Sequence, residues 1–460
     1  MGEAGDLLLG AVGAETLFCG YYDLVVEQAS VLALARTEAQ SVELADRISQ
    51  GQEAIVVLDA TPFYAEAGGQ LGDRGRLFWP GGEAEVLDVH KEKGVIFHFV
   101  KMTAGELVTG ASVAAEVDPE WRKPTERNHT ATHLLHAALR HVLGEGVRQA
   151  GSLVAPDRLR FDFTFGRPLT DDELAASEDV VNAWVLAAKA TEVTADREFD
   201  EAVAAGAMAL FGEKYGARVR TVAVPALVRQ EAKDGEPEII RSLELCGGCH
   251  VANTGEIGLF TITSERGVAS GVRRIEARTG GGARTLAKQR ASLIGELAAT
   301  LAVAEEALPR EVANLVGRQR ELEREVARLR MKMVAGTGTE SGETEVDGVR
   351  VLAREVPPAP IGEIRNMADV LKSKIGSGVV VLASRDGGKV HLVAAVSADL
   401  VRRVHAGKLA GSIATRVGGR GGGKADFAQA GGKDTEALPQ ALEAVPELVR
   451  EQLAAAGDAA

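Results

Sequence analysis

Two short stretches place metal-binding side chains at matched spacings. His129 and His133 lie four apart in Arg127-Asn-His-Thr-Ala-Thr-His-Leu-Leu-His136, and Cys246 and His250 lie four apart in Ser242-Leu-Glu-Leu-Cys-Gly-Gly-Cys-His250. Residues four apart on a helix stack on one face, so the first pair can aim two imidazoles at one ion. Leu134, Leu135, Ala138 and Leu139 then form the buried side of that helix. Gly247 and Gly248 argue for a loop around the second pair. Two histidines at helical spacing are usually solvated surface. The glycine-flanked Cys-x-x-x-His more than a hundred residues later makes them metal candidates, provided the fold brings the stretches together. Three imidazoles and one thiolate suit a single tetrahedral zinc per chain. Cys249, beside His250, is the competing thiolate.

Two zinc chemistries are excluded by the neighbours of these residues. A zinc-protease helix carries Glu directly after its first His, and Thr130 stands there. A zinc nucleobase deaminase needs His-x-Glu and Pro-Cys-x-x-Cys. Here Leu245 replaces the proline, and neither histidine is followed by the glutamate.

The 460 residues suffice for two or three domains. No apolar run is long enough to span a membrane, and Leu7–Val12 follows acidic residues rather than a basic region, which argues against a signal peptide. Three cysteines, two of them in the metal motif, give no disulfide framework and point to a reducing, cytoplasmic setting. A net charge of −14 argues against indiscriminate nucleic-acid binding but allows a local basic patch.

The elements that must position the motif read as an α+β chain. Residues 1–14 carry no signal and are expected to fray. Over 15–125, short apolar runs such as 54–58 and 95–100 alternate with glycine-rich turns, which predicts a small β-barrel-like unit. Within it, Thr61-Pro-Phe-Tyr-Ala-Glu-Ala-Gly-Gly-Gln70 permits close backbone approach to a ligand or, equally on residue type, a bulged hairpin. An α+β zinc-binding unit follows over 126–279, with the His helix, a strand at 159–163, helices at 171–193 and 201–211, and strands at 219–224 and 238–242. Gln149 lies close enough after the His helix to reach the metal cleft or simply to cap a turn. Arg273 and Arg274 read by default as surface ion-pair residues. In an RNA-handling protein they would grip phosphates.

Gly280-Gly-Gly-Ala283 is expected to end that unit. Over 285–334 a helical hairpin arm is expected, with an a/d heptad seam at Val312, Leu315, Gln319, Leu322, Val326, Leu329 and Met333 that packs on itself or pairs two chains. Pro309 suits the first turn of its second helix, and 336–342 reads as a linker. The last domain, 348–452, is a small α/β layer with a crossover helix at 363–375. Between Arg402 and Lys433 it carries seven basic residues against one acid, a local charge of +6. Glycine clusters there flank Arg420, Lys424 and Lys433, an arrangement that suits phosphate oxygens or a solvated loop. The nucleotide P-loop pattern is missing.

The two metal stretches, with Asn253-Thr-Gly-Glu-Ile-Gly258 and Gly271-Val-Arg-Arg-Ile-Glu-Ala277, resemble the editing domain of alanyl-tRNA synthetases, shared in part with threonyl-tRNA synthetases. Gly418-Gly-Arg-Gly-Gly-Gly-Lys-Ala-Asp-Phe-Ala-Gln429 is similar to the C-terminal domain of the same family. The resemblance runs from about residue 15 to the end, and no stretch resembles an aminoacylation core. It implies a zinc-dependent hydrolase that removes serine or glycine from mischarged tRNA(Ala) without activating alanine, as a free-standing editing protein or part of a synthetase. By the resemblance Thr61 and Gln70, with Gln149, contact the amino-acid moiety. Arg273, Arg274, Arg416, Arg420, Lys424 and Lys433 contact the tRNA, and a homodimer through the arm or the C-terminal domain is an option. The competing readings are a threonyl-type editing module and a non-catalytic zinc-stabilised adapter.

Overall fold

The computed structural model describes residues 2–38, 41–209, 215–229, 238–336 and 342–457. The chain divides into two compact units, Met1–Ile294 and Gly295–Ala460. In the first, helix α1 (Gly2–Ala11) precedes six strands: β1 (Val25–Glu38), β2 (Glu53–Leu58), β3 (Gly75–Trp79), β4 (Gly82–Glu92), β5 (Val95–Ala104) and β6 (Ser112–Val117). They pair antiparallel in the order β6-β3-β4-β5-β2-β1, and β1 returns to β6, so the sheet closes into a barrel. Ala54, Val56 and Leu58 of β2 fill the barrel with Leu34, Leu77 and Val86. Ile55 and Val57 face outward and pack with Leu8 of α1. That cover explains why β2 is apolar on both faces rather than alternating. It also corrects the expectation of a frayed N-terminus, since Leu8 is fully buried.

The barrel interior holds one imidazole. His98 of β5 donates through Nδ1 to the Val56 carbonyl (3.0 Å) and accepts the Thr61 hydroxyl at Nε2 (2.7 Å), while Thr61 Oγ1 accepts the Phe63 N–H (3.2 Å). Burial holds the His98 pKa down at about 4, below its ordinary 6.5. Between those values the unfolded chain binds a proton that the folded chain refuses. Stability attributable to His98 is therefore intact above pH 6.5 and lost as pH falls towards 4, by up to about 3 kcal/mol. Urea midpoints measured from pH 7.5 to 4.5 should fall, and His98→Gln should flatten that slope.

Helix α2 (Pro119–Leu143) leaves the barrel with Asp118 as N-cap, whose carboxylate accepts the Glu120 N–H, and Pro119 in the first turn. The His helix thus starts a full two turns before the metal motif. Strands β7 (Gln149–Val154) and β8 (Leu159–Thr164) follow, then α3 (Asp171–Ala187), closed at its start by a Thr170/Glu173 capping box. Next come β9 (Glu192–Glu198), α4 (Phe199–Ala204), β10 (Arg218–Arg229), β11 (Glu238–Leu245), β12 (Phe260–Ala269) and β13 (Val272–Thr279). Two antiparallel sheets result, β7-β8-β13-β12 and β9-β10-β11. Leu134, Leu135, Ala138 and Leu139 of α2 pack with Phe161, Phe163, Trp184 and Ile275. Helix α4 is shorter than the predicted helix at 201–211, whose last two residues lie outside the described residues. Gly280–Gly282 do not end the unit. They open helix α5 (Gly280–Leu301), and Gly280 takes the left-handed φ of +49° that the strand-to-helix corner requires.

In the second unit, α6 (Leu308–Gly336) has Pro309 in its first turn and exposes Val312, Leu315, Leu322, Val326, Leu329 and Met333. Residues 337–341 of the predicted linker lie outside the described residues. Strands β14 (Glu343–Val346), β15 (Val349–Glu355), β16 (Gly378–Asp386), β17 (Lys389–Val396), β18 (Arg420–Gly423) and β19 (Phe427–Gly432) form one sheet, ordered β14-β15-β16-β17-β19-β18. Its single parallel pair, β15–β16, is joined by α7 (Ile361–Ile375). The glycine clusters do not form a loose loop: Gly421–Gly423 pair with β19 as an edge hairpin.

Candidate metal centre

His129, His133, Cys246 and His250 converge, each offering a ligand atom within 4.8 Å of all the others. Cys246 Sγ lies 3.4 Å from His129 Nε2 and 3.3 Å from His250 Nε2. A tetrahedral zinc with bonds of about 2.3 Å to sulfur and about 2.0–2.1 Å to nitrogen holds such donors about 3.5 Å apart. The spacing and donor types therefore fit that ion.

The barrel and the second sheet hold this cluster together through the glycine-rich loop. Gly68 and Gly69 both adopt left-handed φ, and a side chain on Gly69 would collide with Ser152 of β7. The Gly69 carbonyl accepts from the Val154 N–H (2.7 Å), and Leu71 N–H donates back to Val154 (3.1 Å). This docking presents Gln70 to the His helix. Its Oε1 accepts from His129 Nδ1 (2.7 Å) and from the Cys249 N–H (2.9 Å). Below it, buried Arg122 of α2 binds Asp73 (3.0 Å at Nε) and donates to the Pro62 carbonyl (2.9 Å).

Each histidine is fixed from behind at Nδ1. His129 uses Gln70. His133 lies 2.8 Å from Glu244 Oε2, whose other oxygen accepts from His136 Nδ1 (2.9 Å). His250 Nδ1–H donates to Thr130 Oγ1 (3.1 Å), which also accepts the Val251 N–H (3.2 Å). Committing Nδ1 outward selects the tautomer whose Nε2 lone pair is free for a cation. Gly248 lies against His129 so closely that a Cβ there would sit 2.1 Å from the ring.

The electrostatics separate the two cysteines. Burial alone would raise the Cys246 pKa, yet His129, His250 and His133 hold it well below 9.0, favouring the thiolate. Burial pushes Cys249 up to about 12, so it stays a thiol, and it is no member of the cluster. Burial and neighbouring His129 depress His250 to about 3, leaving it a neutral imidazole. Against its burial, Glu244 and Cys246 raise His133 to about 10, a proton that a bound cation would displace.

A cleft of about 200 Å³ opens beside the cluster, lined by His129, His133, Cys246, Thr132, Gln149 and Ser152 among others. It is smaller than a typical drug-sized pocket of about 300–1,000 Å³ and suits a small polar group. Gln149 Nε2 donates to Ser152 Oγ (3.2 Å) on the cleft wall. Thr61 and Gln70 do not line the cleft. Both are fully buried, Thr61 inside the barrel on His98 and Gln70 behind His129. Arg273 and Arg274 are paired across the sheet with Glu265 (2.7 Å) and Asp162 (2.7 Å). Arg416, Arg420, Lys424 and Lys433 are exposed on the second unit.

Spacing did not reveal Glu244, Thr130 or His136, and it marked Gly248 as a loop residue but not as the contact that His129 needs. Each acts through a tertiary contact, although Glu244 and Thr130 sit within two residues of a candidate ligand.

Three family models match separate parts of the chain: tRNA synthetases class II (A) over 7–121, the threonyl and alanyl tRNA synthetase second additional domain over 227–276, and the DHHA1 domain over 348–451. Barrel and metal-bearing region together thus mark a protein of the class II tRNA synthetase group. Alanine–tRNA ligases of Aromatoleum aromaticum and Paraburkholderia xenovorans are 44% and 45% identical over 94% and 96% of this chain, and that of Bordetella pertussis is 44% identical over 96%. The chain belongs to the alanyl-tRNA synthetase family, and it spans about half the length of these relatives, 48–49%. The C-Ala domain from Aquifex aeolicus alanyl-tRNA synthetase matches 24% of this chain and 97% of its own at 31% identity, with a TM-score of 0.23, too low to bear on the fold.

Proposed function

We propose that the cleft beside His129, His133, Cys246 and His250 hydrolyses the ester of mischarged tRNA(Ala), releasing serine or glycine, with one zinc held by those four side chains. The observation that carries this reading is the fixing of all three imidazoles at Nδ1 beside an open polar cleft. An alanine-sized synthetic pocket rejects glycine poorly and serine only modestly, so a second site able to hydrogen-bond a hydroxyl adds discrimination. Gln149, Ser152 and Thr132 supply hydroxyl and amide groups on the cleft wall. Thr61 and Gln70 support the site from behind, through the barrel and through His129. When bound, zinc supplies a Lewis-acid charge at the cleft wall.

The four domains of this reading are the barrel over 15–125, the editing domain over 126–279, the helical arm over 285–334 and the tRNA-binding domain over 348–452. Arg416, Arg420, Lys424 and Lys433 meet tRNA phosphates, with Arg273 and Arg274 contributing once released from their carboxylates. The exposed apolar row of α6 serves pairing of two chains, and the compartment is the cytoplasm. Among the described residues no helix is long and apolar enough to cross a membrane.

Zinc-loaded protein should deacylate Ser-tRNA(Ala) and Gly-tRNA(Ala) while sparing Ala-tRNA(Ala), and Cys246→Ala should lower those rates by about 100-fold or more. Failure of folded, zinc-loaded protein to release either amino acid would leave a structural metal and an adapter role.

A further inference from the structure

We infer that Tyr21 and Arg220 are positioning residues for the metal loop, a clamp that sets where the Cys246 sulfur sits. The inference rests on the metal reading above. Three successive carbonyls of the loop are each bound from outside. Arg220 Nη1 donates to Cys246 O (2.8 Å) and Gly248 O (3.0 Å), and the Tyr21 hydroxyl donates to Gly247 O between them (2.8 Å). The guanidinium lies 4.2 Å above the Tyr21 ring, so the two side chains hold one another as well. The Arg220 main chain joins in, its carbonyl accepting the Cys246 N–H (3.1 Å).

With its carbonyls drawn outward, the loop turns an N–H inward: Gly248 N–H donates to Cys246 Sγ (3.4 Å). Glycines at 247 and 248 leave the loop free to take other conformations. Something outside the loop must select the metal-ready conformation. Arg220 comes from β10 and Tyr21 from the segment entering the barrel, so the thiolate is referenced to both halves of the first unit.

The test uses the full chain loaded with cobalt(II), whose thiolate charge-transfer band reports sulfur geometry, and with zinc, whose release to a chromophoric chelator is timed. Arg220→Met should shift or weaken the band and speed zinc release by about tenfold, with tryptophan fluorescence of the metal-free protein unchanged. Tyr21→Phe keeps the stacked ring and removes one hydrogen bond, so it should move both readouts in the same direction by less. It decides the matter if Arg220→Met fails to fold. Wild-type values in a folded variant overturn the clamp. A wild-type chain that holds neither metal overturns the metal site itself, and the clamp with it.

Discussion

Arg122→Met is expected to cost the first unit about 3–5 kcal/mol, because it strands a buried carboxylate. Arg122 is 1% exposed and Asp73 0%. The guanidinium satisfies Asp73 together with the carbonyls of Gly20 and Pro62. Methionine matches much of the volume and none of the donors, so the lost packing is small and the uncompensated charge dominates. Adding Asp73→Asn should recover a large part of the loss, since the pair's net worth is far below the penalty of breaking it. All three tryptophans lie in the first unit, so urea unfolding followed by tryptophan fluorescence reads it directly. A single variant as stable as the parent would mean that this pair does not tie the glycine-rich loop to the His helix.

The second large effect is on the metal. Glu244→Gln should weaken zinc binding by about 10- to 100-fold while leaving the fold intact. One carboxylate oxygen accepts from His136 Nδ1 (2.9 Å), and the other forms a close ion pair with His133 Nδ1 (2.8 Å). Glutamine has one acceptor oxygen, and its amide would confront the other N–H with a second donor. If His133 yields, its proton moves to Nε2 and that nitrogen can no longer bind a cation. Competition with a chromophoric chelator measures the change. An unchanged affinity would remove Glu244 from the support of His133.

Much of the site was legible from residue type and spacing. The four-residue offsets of His129/His133 and Cys246/His250 follow helix geometry and loop chemistry, which are local. The two-faced burial of β2 was not legible, because it depends on Leu8 arriving from α1, forty-odd positions away in sequence. Gln70 could be marked as unusual from its glycine neighbours, yet its part behind His129 depends on the loop docking on Val154. Thr61 is marked only by the family resemblance, and its hydroxyl is used inside the barrel on His98. The run Gly280–Gly282 looked like a break because glycine lowers helix propensity by about 1 kcal/mol. Here the first of the three turns a strand corner, and Ala283 packs inward on the helix that follows.

The most direct measurement is X-ray absorption at the zinc edge on protein purified with the metal. Three histidines and Cys246 predict one ion per chain, with one sulfur at about 2.3 Å and nitrogen scatterers at about 2.0–2.1 Å. Two sulfurs, which would bring Cys249 into the site, or a shell of light atoms alone, would contradict the account.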